Sequence, residues 1–114
     1  MTNAWRTIAA WVSVRDIKYV NWACLEHAYG RAVDTPRHLA ALLSDDQGAV
    51  THALEHLDLA VLHQGNAYPA TAPVVKVVAG YIDEMAVEPG VRDSLLEFLG
   101  WAAEATFEHR ARPV

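Results

Sequence analysis

The sequence predicts an all-α fold: a short α-solenoid of about six helices in three antiparallel pairs, with residues 1–114 forming a single domain whose ends are short and frayed. Three observations lead there. Apolar residues recur at three- and four-residue spacing along most of the chain. Helix-start chemistry appears at Asp34-Thr35-Pro36, at Ser44-Asp45-Asp46-Gln47 and at Thr71-Ala72-Pro73. The segments beginning at 34 and at 71 also share a layout, in which a capped start and a short turn lead into a second helix. That is the outline of a helical repeat of roughly 40 residues, of which about three make a stable stack.

The first helix is expected over 4–13, where Trp5, Ile8, Ala9 and Val12 share a face, and the second over 17–28, through Ile17, Val20, Cys24 and Ala28. Tyr29-Gly30 ends the second, because glycine enters the left-handed conformation that closes a helix at little steric cost. Asp34 then caps a third helix running to about Leu43, with Pro36 in its first turn where no amide is needed. The acidic capping box at 44–47 opens a fourth, continuing to about His63 with Val50, Ala53, Leu54, Leu57 and Val61 inward. A fifth starts at Thr71 and carries Val74, Val75, Val77, Val78, Tyr81, Ile82 and Met85 over so wide an arc that it should be central. Its β-branched run would also suit a strand, but the helix start and the continuing spacing favour a helix. Glu88-Pro89-Gly90 separates it from a sixth, lined by Val91, Leu95, Phe98, Leu99, Ala102 and Thr106. No β-hairpin is expected.

Composition narrows the function classes. With 53% hydrophobic and 20% charged residues the chain belongs with folded globular proteins. Its apolar runs fall far short of the roughly 20 residues that cross a bilayer, and no leader-like segment opens the chain. The lone Cys24 cannot form an intrachain disulfide. A cytoplasmic protein needing no cofactor is therefore expected. The net charge of −5 is unevenly spread: residues 1–44 hold five basic and three acidic groups, residues 45–114 four basic and eleven acidic. No basic cluster exists to neutralise phosphates, which argues against nucleic acid. The acidic half suits a protein partner, and Trp11 and Trp22, which fall off their helices' apolar stripes near one end, with Trp101 and Phe107 near the other, suit packing between helix pairs or association, including a homodimer.

In order, His27-Ala28-Tyr29-Gly30, Asp34-Thr35-Pro36 with Leu39 and Leu42-Leu43, Ala53-Leu54 with Leu57, and His63-Gln64-Gly65 with Tyr68-Pro69-Ala70-Thr71-Ala72-Pro73 resemble a group of actinobacterial HEAT-repeat-like proteins. The resemblance covers about residues 19–100. It implies a HEAT-like α-solenoid with protein-binding habits, and it carries no catalytic residue over. Members of the group are generally longer, so the chain looks like the amino-terminal part of that architecture.

The candidate site residues follow from chemistry. His52, His56 and His63 fall in one arc opposite the apolar stripe and should share an exposed edge. His52-Ala53-Leu54-Glu55-His56 also fits the H-x-x-E-H zinc-hydrolase pattern, but no third ligand or enclosing cleft accompanies it, so no metal is assigned to His52 and His56. The 63–71 loop reads as an interhelical clasp in which His63, Gln64 and Tyr68 could meet a ligand. Cys24 should be inert packing. The expected function is that of a non-catalytic protein-binding module, one version being an inhibitor or immunity-type protein against a basic toxin. The alternative is a small enzyme or ligand-binding protein with a pocket between helix pairs lined by His27, Tyr29, His63, Gln64, Tyr68 and Trp22, in which His27, His63 and Tyr68 would be the acid–base groups.

Overall fold

A computed structural model describes residues 17–63 and 66–111 of the chain. The expected first helix, with Trp5 and Trp11, lies outside them, as do Gln64 and Gly65, and no side chain beyond Ala105 is described. In chain order the elements are β1 (Glu26–His27), β2 (Gly30–Arg31), α1 (Thr35–Ala41), α2 (Gln47–His56), β3 (Leu62–His63), β4 (Asn66–Ala67), α3 (Thr71–Asp83) and α4 (Pro89–Ala111). The described residues thus form a small mixed α/β globule of four helices and two antiparallel hairpins. The six-helix all-α solenoid is overturned.

The correction begins at the expected second helix. Instead of one helix over 17–28 the chain makes a 3-10 turn, Trp22–Cys24, and then enters β1, which pairs with β2 in the register Glu26↔Arg31 and His27↔Gly30. Gly30 sits at φ 127°, so the positive φ expected of it is real, but it serves a two-residue hairpin turn rather than a helix end. Further along, α2 loosens into a π-helical turn, Leu57–Val61, and stops. Where the sequence suggested helix up to His63, Leu62 and His63 form β3 and pair with Ala67 and Asn66 of β4.

Backbone bonds stitch the two hairpins to the helices. The Ala28 amide donates to Ala60 at 2.9 Å, and the Ala70 amide to Glu26 at 3.0 Å. Two residues expected as helix caps are used in this stitching instead. Asp34 makes no capping bond to α1 and turns its carboxylate to His27. The Thr71 hydroxyl donates to Val61 O at 2.7 Å and accepts from the Tyr68 amide at 2.9 Å. The helix expected from the 44–47 capping box does form, but two residues later than that box places it: Asp46, not Ser44, caps α2, accepting from the amides of Gly48 and Ala49, and Gln47 is its first residue.

The core lies where α1, α2, α3 and α4 meet the hairpins. Val74, Val77, Val78 and Tyr81 form the buried stripe of α3, while Val75 and Ile82 are partly buried. The Tyr81 hydroxyl donates to the Leu39 carbonyl at 2.8 Å, tying α3 to α1, and burial pushes that phenol's pKa upward. Helix α3 ends two residues before Met85, which stands exposed in the left-handed region at φ 56°. The amides of Met85 and Ala86 return to Ile82 O and Tyr81 O, the pattern of a Schellman cap. Leu95, Phe98, Ala102 and Ala105 bury one face of α4. Pro89 and Gly90, expected as a separator, form its first turn, where proline loses no intrahelical bond.

Candidate functional site

The ends of four short segments bring a set of polar side chains together. The hairpin turn after β1 points His27 inward, the 3-10 turn Ala32–Asp34 presents Asp34, α1 begins with Thr35 and carries His38, and the last residue of α2 is His56. His27, Thr35 and His56 are buried, and Asp34 is partly exposed. His27 Nδ1 accepts the Tyr29 amide at 3.1 Å, so its proton resides on Nε2, which donates to Asp34 Oδ1 at 2.8 Å. Thr35 Oγ1 and His56 Nε2 share a hydrogen bond of 2.9 Å.

Ring packing extends the cluster. His38 stacks on His56 at 4.3 Å, His27 meets His56 edge-on at 5.2 Å, and exposed Tyr29 meets His63 edge-on at 5.4 Å. His63 itself is held by donation from Nδ1 to the Leu59 carbonyl at 2.8 Å. Burial drives the pKa of His56 down to about 4, and the neighbouring His38 adds to the shift. His38 is lowered too, chiefly by burial and then by Arg37. Burial alone would raise Asp34, but the hydrogen bond from His27 and the nearness of His56 hold it below the usual carboxylate value.

Of the residues expected to line a pocket, the fold gathers His27, Tyr29 and His63. Trp22 is instead a core residue whose indole donates to Ile17 O at 3.0 Å. Tyr68 is partly buried and enters the clasp through its amide. The expected exposed edge of three histidines dissolves, since His52 is exposed, His56 buried and His63 on β3. Cys24 is exposed, not packed inward, and accepts from Asn21 Nδ2. Asp34, Thr35 and His38 were not among the site candidates. Asp34-Thr35-Pro36 reads as helix-start chemistry, and no short motif links it to His27 or His56.

A second feature lies between α2 and α4. Leu54 and Glu55 of α2 and Asp58 of the π turn face Glu97, Phe98 and Trp101 of α4 across a cavity of about 260 Å³. Both walls follow one helical face, 51, 54, 55 and 58 on one side and 94, 97, 98 and 101 on the other. Asp58 is raised by burial and then by the repulsion of Glu97. Among the described residues no lysine or arginine pairs with Glu55, Asp58 or Glu97. Trp101 remains 46% exposed, leaving its ring open to a ligand.

No helix among the described residues is long and apolar enough to cross a membrane. Comparison with family models, with curated proteins and with solved structures finds no match for the chain.

Proposed function

We propose that this chain is a non-catalytic binding module, and that the groove between α2 and α4 receives a lysine or arginine side chain from a basic segment of a protein partner. The observation that carries this reading is the pairing of three carboxylates that have no cationic partner among the described residues with an open indole on the same cavity. A guanidinium or ammonium group there would relieve the repulsion between Asp58 and Glu97, and could lie against Trp101 in a cation–π contact. The acidic bias of residues 45–114 would steer such a partner toward this face. An inhibitor of a basic protein is one form this would take. A cytoplasmic setting accompanies the proposal, in keeping with an exposed free thiol at Cys24.

The test is titration of the chain with a labelled arginine-rich peptide, read by fluorescence anisotropy. Saturable, salt-sensitive binding is expected, weakened more than about tenfold by the double substitution Asp58→Lys, Glu97→Lys. The charge-matched double substitution Asp83→Lys, Asp93→Lys, at exposed positions of α3 and α4 outside the groove, should weaken it far less. Equal losses in both variants would mean that the peptide reads net charge alone, and the groove would then not be the site.

A further inference from the structure

We propose that His27, Asp34 and His56 form a binding site for one divalent transition-metal ion of the zinc class. One donor atom from each of the three side chains lies within 4.8 Å of the others. The three come from separate places in the fold, namely β1, the turn before α1 and the end of α2, so the cluster is a product of tertiary structure. Two imidazoles with one carboxylate is a nitrogen-rich set that suits zinc and its neighbours rather than calcium or magnesium, which favour oxygen donors throughout. The part-exposed Asp34 gives an ion access, while the buried histidines provide fixed ligands.

The geometry is close to what a metal needs. Zinc bonds to nitrogen and oxygen near 2.0–2.2 Å place the ligand atoms of a tetrahedral site about 3.4 Å apart. His27 Nε2 and Asp34 Oδ1 are now 2.8 Å apart, and no pair in the set exceeds 4.8 Å, so the required separation lies inside the present range. Three protein ligands leave coordination positions for water.

One proton must move. In the metal-free chain Nε2 of His27 carries the hydrogen shared with Asp34. On binding, the metal takes that nitrogen's lone pair and the ring's proton transfers to Nδ1, so the imidazole stays neutral and no proton is lost from it. The Tyr29 amide then loses its acceptor and must turn toward another. That residue sits in a two-residue turn beside Gly30, whose φ of 127° already uses glycine's wider conformational range. Metal binding is thereby coupled to the position of Tyr29 and to its edge-on contact with His63. The H-x-x-E-H pattern noted in the sequence contributes His56 alone, since His52 is exposed and outside the set.

The proposal is tested by calorimetric titration of the tag-free, chelator-stripped chain with zinc chloride, alongside the visible spectrum of the cobalt(II) form. One ion per chain is expected, with a Kd of about 1 μM or tighter. Asp34→Asn and His27→Gln should each weaken zinc binding at least about tenfold and diminish the cobalt bands, while His52→Ala changes neither. Circular dichroism checks that each variant folds. If His27→Gln does not, Asp34→Asn decides, because its amide oxygen can still accept from His27. Absence of stoichiometric zinc binding by the unmodified chain would overturn the proposal. So would full retention of binding by folded Asp34→Asn, or its loss on His52→Ala.

Discussion

Glu55 and His56 are neighbours on α2, yet they belong to opposite kinds of environment. His56 enters a cluster where the polar groups are mutually satisfied: His56 with Thr35, His27 with Asp34 and the Tyr29 amide, and nearby Thr71 with Val61 and Tyr68. Glu55 lines a groove whose carboxylates face one another with no cationic partner among the described residues and whose indole stands open. The difference lies in where the interaction energy goes. Buried and paired groups contribute to folding, and removing one partner leaves the other desolvated. Partly exposed like charges slightly oppose folding, and their attraction for a cation is available to a ligand. Substitutions around His56 should therefore lower stability, and those in the groove should change binding.

The largest effect is expected from His56→Ala. It removes a buried ring against which His38 stacks and leaves the Thr35 hydroxyl, wholly buried, without its partner. A cavity and an orphaned hydroxyl together should lower unfolding free energy by about 2–4 kcal/mol in urea denaturation. Should the loss stay below ~1 kcal/mol, the cluster would not be the fixed, satisfied unit described above.

Acidification should separate the two regions by sign. In the metal-free chain His56 titrates near 4 when folded and near 6.5 when unfolded, so the unfolded state binds the extra proton between those values. Stability should fall as pH drops from about 6.5 to about 4, by roughly 2–3 kcal/mol once solvent screening is allowed for. Asp34, with its folded pKa lowered, supplies stability above the usual carboxylate range that is lost when the pH falls through its folded value. Asp58 behaves oppositely. Its raised pKa makes the charged form unfavourable in the fold, a penalty present above that pKa and relieved as acid protonates it. Urea midpoints from pH 7 to 4 should flatten in a His56→Gln variant and steepen in Asp58→Asn.

Sequence alone makes α3, most of α4 and the existence of α2 legible, because in each the apolar spacing is sustained over about three turns, while the capping residues are less legible: Asp46 rather than Ser44 caps α2, and Thr71 bonds elsewhere. The hairpins are illegible for a physical reason. Strands of two residues cannot show alternation, and what forms them is tertiary: Ala28 bonds to Ala60 and Ala70 to Glu26. Likewise Ile17, Val20, Cys24 and Ala28 have helical spacing, but Cys24 faces solvent and β1 diverts the chain. His56 was expected on an exposed edge because it lies off the main stripe of α2. It lies on the flank that α1 covers, and a single helix's periodicity does not reveal its neighbour. His27, Tyr29 and His63 were readable as a group, whereas Asp34 and Thr71 have side chains whose local role as caps is displaced by longer-range partners.

A matched pair of threonines gives a smaller but cleaner contrast. Thr71 is buried and its hydroxyl joins the Tyr68 amide to the Val61 carbonyl, whereas Thr51, exposed beside the groove, only donates to Gln47 O within its own helix. Thr71→Val strands both partners and should lower stability by about 1–3 kcal/mol. Thr51→Val leaves a helix that already has its backbone bonds, and its effect should stay within ~0.5 kcal/mol. Similar losses from the two changes, measured by thermal and urea unfolding, would remove the distinction between a folding cluster and a binding surface.

The smallest expected effect is also the most diagnostic, because stability and binding should move in opposite directions. Glu97→Gln keeps the side chain's size but removes the like charge that, after burial, raises Asp58. At this partly exposed site the relief should be slight, about 0.2–0.5 kcal/mol of added stability at pH 7 and less at high salt. The pKa of Asp58, followed by NMR of its carboxyl carbon, should drop toward the ordinary aspartate value. A basic peptide should nevertheless bind more weakly, because the charge removed is one that would have faced the incoming cation. A destabilised variant with unchanged peptide affinity would reverse the first expectation and abolish the second. It would mean that Glu97 is held by the fold as firmly as His56, and the groove would then belong to the folding unit.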